Sequence, residues 1–297
     1  MSAPATPVDE ALLRRMPLPR HQEGEDKDQR GRVLVIGGSV EVPGGALLAG
    51  IAALRAGAGK LQIATCESVA THLALAVPEG RVFRMPETAA GGIAAESIEP
   101  LRKRAADAAA VVVGPGMLDD AAVAALVEAL LQDPDGPALL LDAAALKGLP
   151  RHADALKARG GRVVLTPHAG EMATCLKMEI DAVMAEPLQT ARRAAADLSS
   201  VVALKGGCTR IAAPDGRAWT CDRGNVGLAT SGSGDTLSGF IAGLLARGAD
   251  AATACLWGVY LHGEAGVRLA KSRGPVGYLA RELLDEVPAI MAELGSE

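Results

Sequence analysis

The chain has 297 residues, 49% of them apolar, yet only two each of Trp, Tyr and Phe, and its formal charge is −5. That length fits one large α/β unit, the lack of basic runs with interleaved aromatics excludes a nucleic-acid partner, and no run of about eighteen apolar residues marks a membrane span. Five cysteines (Cys66, Cys175, Cys208, Cys221, Cys255), an odd number with no C-x-x-C pair, point to reduced, mostly buried thiols rather than to disulfides or zinc.

Residues 1–30 are Pro-rich and charged, ending in the run from His21 to Arg30, and they bury too little apolar area to fold alone. They are read as an arm draped on a single domain spanning 31–297. Asp9, Glu10, Arg14 and Arg15 stand where a signal peptide needs an apolar core, so a cytoplasmic location is expected.

From Val33 onward short apolar runs alternate with helical patterns. Val33–Ile36, Leu61–Ala64, Val111–Val113, Ala138–Leu141, Val163–Leu165 and Val201–Leu204 read as strands buried on both faces. The alternation predicts a three-layer α/β/α fold, a mostly parallel sheet with helices on both faces, and places ligand sites at the carboxyl ends of the strands. Thr209–Ala213 and Arg217–Thr220, joined by Pro214-Asp215-Gly216, read as a hairpin at a sheet edge. Next, Leu237, Phe240, Ile241, Leu244 and Leu245 recur with helical spacing, predicting a helix that buries one stripe and turns Ser238 and Arg247 outward. Ala251–Ala270 reads as an internal helix and Pro275–Leu294 as a surface helix disturbed at Pro288.

The stretch Asn225-Val-Gly-Leu-Ala-Thr-Ser-Gly-Ser-Gly-Asp235 runs straight into the first of these helices. Such a junction gathers unpaired amides and the positive end of a helix dipole, an anion hole at Gly232, Ser233 and Gly234, with the Asp235 carboxylate beside it to take a proton. From these residues alone, an Asp-capped loop is an equal alternative. Gly37-Gly38-Ser39 lacks the dinucleotide spacing, and Gly57-Ala-Gly59-Lys60 lacks the first glycine and the hydroxyl of a P-loop. His168 reads as either a loop histidine or a ligand, and His262 as a core residue.

Motifs along nearly the whole chain carry a resemblance: Gly31-Arg-Val-Leu-Val-Ile-Gly-Gly-Ser39, Pro43–Gly50 with Arg55–Gly59, Pro78-Glu79, Gly114-Pro-Gly116, Leu141-Asp142, Leu165-Thr-Pro-His-Ala-Gly-Glu171, Leu204-Lys-Gly-Gly-Cys-Thr209, Gly232–Asp235 and Tyr260-Leu-His-Gly263. In these the chain resembles the NAD(P)H-hydrate dehydratases, ribokinase-like enzymes in their stand-alone form. The Thr-Pro-His-x-Gly-Glu stretch separates that family from sugar and vitamin kinases that share the Gly-x-Gly-Asp turn.

The resemblance implies nucleotide-dependent dehydration of (6S)-hydrated NADH and NADPH (NADHX and NADPHX), with ADP, or else ATP, cleaved to AMP or ADP and phosphate. It implies that Lys205, Gly206, Gly207, Cys208, Thr209 and Gly234 hold the nucleotide. Gly45, Gly116, His168 and Asp235 contact the hydrated cofactor; Asp235 is expected to be the base, kept ionised by the helix dipole and by magnesium nearby. It further implies Mg2+ between the phosphates on unassigned ligands, a homotetramer, and a separate epimerase for the substrate epimers. The hairpin is expected to border the adenine-ribose end of the nucleotide.

The chain departs from the family pattern in three places. Gly45 stands where an alanine is usual, Ala144 replaces the second carboxylate of Asp-Ala-Asp, and Ala169 replaces a proline after the histidine. Two other readings stay open: a kinase of the same fold acting on a hydroxymethylpyrimidine, a hydroxyethylthiazole or a sugar, and a catalytically silent nucleotide-binding protein.

Overall fold

The computed structural model describes residues 4–20, 24 and 26–295. The strands are β1 Thr6–Pro7, β2 Arg32–Ile36, β3 Lys60–Cys66, β4 Gly80–Met85, β5 Ala110–Val113, β6 Ala138–Leu141, β7 Val163–Leu165, β8 Val201–Leu204, β9 Thr209–Ala212 and β10 Ala218–Cys221. The helices are α1 Glu10–Arg15, α2 Gly44–Arg55, α3 Glu67–Ala76, α4 Ile98–Ala106, α5 Asp120–Leu131, α6 Ala153–Ala158, α7 Ala169–Leu176, α8 Ile180–Ala185, α9 Pro187–Asp197, α10 Ser233–Ala246, α11 Ala251–Arg273 and α12 Ala280–Gly295.

One ten-stranded sheet has the order β1-β10-β9-β8-β7-β6-β5-β2-β3-β4. Its members from β8 to β4 are all parallel, as the β-α-β alternation requires. Strand side chains alternate between faces. Val33 and Val35 therefore enter one apolar layer with α2, α10 and α11, while Leu34 and Ile36 enter the opposite layer with α4, α5 and α9. All six apolar runs form strands, and all four side chains of Val33–Ile36 are fully buried. β4 is missing from the sequence reading because it is an edge strand whose Arg81 and Arg84 break up the apolar run; such charges are what keeps an edge from pairing further. No helix among the described residues is long and apolar enough to cross a membrane.

Several expectations are corrected. The hairpin of β9 and β10 is not at the sheet edge, because β1 pairs in parallel with β10 and covers it. Of the arm, residues 1–3, 21–23 and 25 lie outside the described residues, and the rest is tied down. Leu12 and Leu13 of α1 are buried, and Trp257 Nε1 donates to Met16 O at 2.7 Å. α10 does not bury a single stripe. Every residue from Thr236 to Ala246 is buried, Ser238 included, because α10 is enclosed by the sheet, α2 and α11. Arg247 is the residue that ends the helix, not a member of an outer face. The last helix begins at Ala280 and carries Pro288 within it.

Candidate active site

The chain reverses direction across the sheet between β2 and β5, and the loops after these strands meet there. Gly38 N donates to Pro115 O at 2.7 Å. In doubly wound sheets that switch point is where ligands bind. Gly45, in the first turn of α2, lies against Gly116: a Cβ built on Gly45 would stand 2.9 Å from Gly116 N and 3.1 Å from Pro115 C. A glycine is accommodated there without displacement, which gives the departure at position 45 a local reason. Gly116 itself needs its freedom, with φ of 65° and Val42 O 2.3 Å from where a Cβ would sit.

The next three strands end in polar residues. After β6 comes Asp142, only 2% exposed, its main chain fixed by Asp142 N donating to Val113 O at 3.0 Å. After β7 comes His168, which caps α7: its Nδ1 accepts from Gly170 N at 3.0 Å and Glu171 N at 3.2 Å, while His168 N donates to Glu171 Oε2 at 2.8 Å. An Nδ1 that accepts amides leaves the proton of a neutral ring on Nε2. That nitrogen lies 3.4 Å from Glu171 Oε1 on a side chain 59% exposed. His168 is thus a helix cap whose ring stays more than half exposed beside Glu171.

After β8, Lys205 N donates to Pro167 O at 2.8 Å, so the loops carrying His168 and Lys205 run side by side. The Lys205 ammonium turns inward. It donates to Asp142 Oδ1 at 2.9 Å and lies 3.7 Å from Glu171 Oε2. Burial alone would lower its pKa, but the Asp142 and Glu171 carboxylates outweigh this and raise it. Gly206 and Gly207 are exposed, with nothing within 4 Å of a Cβ on Gly207, and Thr209 begins β9 opposite Cys221. Cys208 and Cys221 are both free thiols, as are the other three cysteines.

The Gly232–Asp235 turn starts α10 as its sequence suggests, with Gly232 at φ 85° packed on Leu48 of α2. One expected member of the anion hole is engaged: Ser233 N donates to Thr230 O at 3.2 Å. Gly234 and Asp235 lie in the first turn of α10, where the helix itself gives an N–H no partner. Ser233 Oγ is instead 2.8 Å from Nε2 of His262, whose pKa burial lowers to about 4, which makes it a neutral partner at the back of the turn.

Asp235 is half-buried, and its pKa is raised to about 6 by burial first and then by the Asp142 charge, against the lowering effect of Lys205. Desolvation and the neighbouring carboxylates thus hold it above the ordinary carboxylate value, though still below neutrality. It remains ionised at neutral pH, and a carboxylate with a pKa near 6 is well matched to general-base work.

The hairpin tip is corrected too. Pro214, Asp215 and Arg217 line a groove of about 650 Å³ with Ala138 and Val201, the first residues of β6 and β8, at the end of the sheet opposite the Gly232–Asp235 turn. Because β9 runs antiparallel to β8, only the base of the hairpin, at Thr209 and Cys221, reaches the site. Beside His168 a cleft of about 360 Å³ is lined by Met117, Asp119, Asp120, Ala144, Lys147 and Glu171. Ala144 leaves that wall without the carboxylate the usual motif would put there.

Four residues of this site escape the sequence reading as functional groups: Asp142, Glu171, Ser238 and His262. Ser238 Oγ donates to Asp142 Oδ2 at 2.8 Å. All four carried a signal, since Asp142, Glu171 and His262 stand in the motif stretches and Ser238 is a polar residue in the buried part of α10. Among the described residues no group of three or more His, Cys, Asp or Glu side chains is disposed to hold a metal ion.

Residues 33–289 match the family model described as NAD(P)H-hydrate dehydratase. A relative from Xanthomonas campestris, named ADP-dependent (S)-NAD(P)H-hydrate dehydratase, is 50% identical over 293 residues, covering 97% of this chain and 96% of that protein. A bifunctional NAD(P)H-hydrate repair enzyme from Moorella thermoacetica is 39% identical over 283 residues, covering 95% of this chain and 53% of that protein. Among solved structures, the ADP/ATP-dependent NAD(P)H-hydrate dehydratase of Bacillus subtilis co-crystallised with ATP/Mg2+ superposes with a TM-score of 0.81 at 31% identity, covering 98% of this chain and 99% of that one.

Proposed function

The chain belongs to the NAD(P)H-hydrate dehydratase family, and we propose that its polar cluster at the carboxyl ends of the strands carries out that family's reaction, the ADP-dependent return of (6S)-hydrated NADH and NADPH to NADH and NADPH. The observation that supports the reading is that Lys205 Nζ stands beside Gly234 at the start of α10, which carries Asp235, with the His168 loop paired to Lys205 and Gly45 packed on Gly116.

In this reading the hydrated ring lies by Gly45 and Gly116 with His168 Nε2 at its edge. The exposed Gly206-Gly207 backbone and the base of the hairpin hold the nucleotide. Asp235 takes the proton of the ring hydroxyl as its oxygen attacks the terminal phosphorus of ADP, and AMP leaves. The Gly234 and Asp235 amides and the Lys205 ammonium face the oxygens where charge develops, in a site that needs no reorganisation to do so. The ring nitrogen's lone pair then expels phosphate as the C–O bond breaks, and the iminium ion so formed gives up a proton from the adjacent ring carbon to the departing phosphate, which leaves the ring double bond of NADH. The proton on Asp235 is released to water as the site opens.

Among the described residues the donor set does not form a metal cage. Magnesium would therefore arrive as the nucleotide's counter-ion, held by phosphates and water, as Mg2+ commonly is in phosphoryl-transfer sites. A cytoplasmic homo-oligomer, served by an epimerase that interconverts the substrate epimers, completes the proposal.

Product analysis tests it. With hydrated NADH and ADP, phosphorus NMR should show AMP and inorganic phosphate in equal amounts and no lasting phosphate ester. An ester that accumulates would make the protein a kinase of the same fold.

A further inference from the structure

Lys205 is the cation nearest the anion turn, and its direction is set by residues the family reading leaves without a role. A Cβ built on Gly234 would lie 3.5 Å from Lys205 Nζ and 4.0 Å from Asp142 Oδ2, so the Lys205–Asp142 pair stands directly against the turn. Both Asp142 oxygens are committed, Oδ1 to Lys205 and Oδ2 to Ser238, which is fully buried. Ser238 lies three residues after Asp235 in α10, so the two share a helix face. The Asp142 main chain is fixed as well: Ala145 N donates to its carbonyl at 3.0 Å, and at Gly114 a Cβ would stand 1.8 Å from that same oxygen.

We propose that Asp142 is a positioning residue: gripped by Ser238, its carboxylate aims the Lys205 ammonium at the phosphate held by the Gly234 and Asp235 amides. This rests on the dehydratase reading. Stability alone gives weak reason for the arrangement, since a buried ion pair is often no better than apolar side chains of the same volume. Its placement has a chemical consequence, because a lysine held by a carboxylate at one end of its swing presents its charge in one direction only, and small misplacements in such sites are expensive in rate. Asp235 also faces this pair. The charged groups around it are Asp142 after β6, Lys205 after β8 and Glu171 on α7, and of these Asp142 is the leading charge that raises its pKa. From α11, His262 is neutral in the working range.

The test compares Asp142→Asn and Ser238→Ala with the wild type. Asp142→Asn should lower kcat by about 10²-fold with the KM for ADP little changed. Its acid limb should move to lower pH, because the charge that raises the Asp235 pKa is gone. Ser238→Ala keeps that charge, so kcat should fall less while the acid limb stays in place. A folded Asp142→Asn with wild-type kcat and an unmoved acid limb overturns the proposal. Should Asp142→Asn lose its cooperative melt, Ser238→Ala decides: unchanged kcat overturns the clamp, and reduced kcat at constant KM upholds it. A wild type inert on hydrated NADH would sink the dehydratase reading instead. The carboxyl-carbon NMR titration of Asp235 then still judges Asp142, since its midpoint must be lower in Asp142→Asn and an equal midpoint overturns the proposal.

Discussion

Asp235 sits where two effects oppose each other. Burial and the Asp142 charge push its pKa up to about 6, and Lys205 pulls it down. As a base it must be ionised, so turnover should fall as pH drops through about 6, a limb read directly from the pH dependence of kcat/KM. Asp235→Asn keeps the shape and removes the base, and kcat should fall by about 10²–10⁴. A carboxyl whose folded pKa lies above its unfolded value near 3.8 destabilises the fold at every pH above the folded pKa and not below the unfolded one. The Asn variant should therefore melt higher than wild type at pH 8, with the difference gone below about pH 4. Calorimetry at the two pH values checks both parts. The turn at Gly232–Asp235 was legible because an anion turn is a local pattern, with glycines, helix start and carboxylate within four residues. Asp142, Ser238 and Lys205 were not legible as one unit. They are 63 or more residues apart in two of their pairings, and only the sheet brings them together.

At the level of elements, α10 shows why the amphipathic reading went astray. Its apolar stripe is real, but the other faces are small rather than polar. A Cβ on Gly239 would lie 2.2 Å from Ala49 O, and one on Gly243 would lie 2.4 Å from Ala53 O. Glycines thus let α10 lie on the alanine face of α2, in keeping with a composition poor in aromatics. The period of hydrophobicity does not reveal contact of this kind, since glycine contributes nothing to it. Gly239→Ala should destabilise the protein by about 1–3 kcal/mol through overpacking, measured by chemical denaturation. Because α2 carries Gly45 and α10 carries Asp235, the same variant should also weaken turnover, and unchanged stability would mean the two helices can part freely. The six central strands were legible for the opposite reason, being short apolar runs buried on both faces.

Over the whole molecule, residues 6–13 belong to the sheet and core more than their composition suggests. Two short pairings, Thr6 with Trp219 and Pro7 with Thr220, cover the edge of β10, and Leu13 is fully buried. Removing residues 1–16 should expose that edge and the Trp257 indole, lowering Tm and favouring self-association, both readable by calorimetry and light scattering. The working end of the molecule is the opposite matter: every group assigned to the reaction lies at the carboxyl ends of the strands, around one helix start. The most direct measurement is the return of NADH absorbance when the purified protein is mixed with hydrated NADH and ADP. The expected result is full return of the (6S) epimer, one NADH for each ADP cleaved and none without nucleotide. Cleavage of ADP with no NADH formed, or no reaction at all, would contradict it.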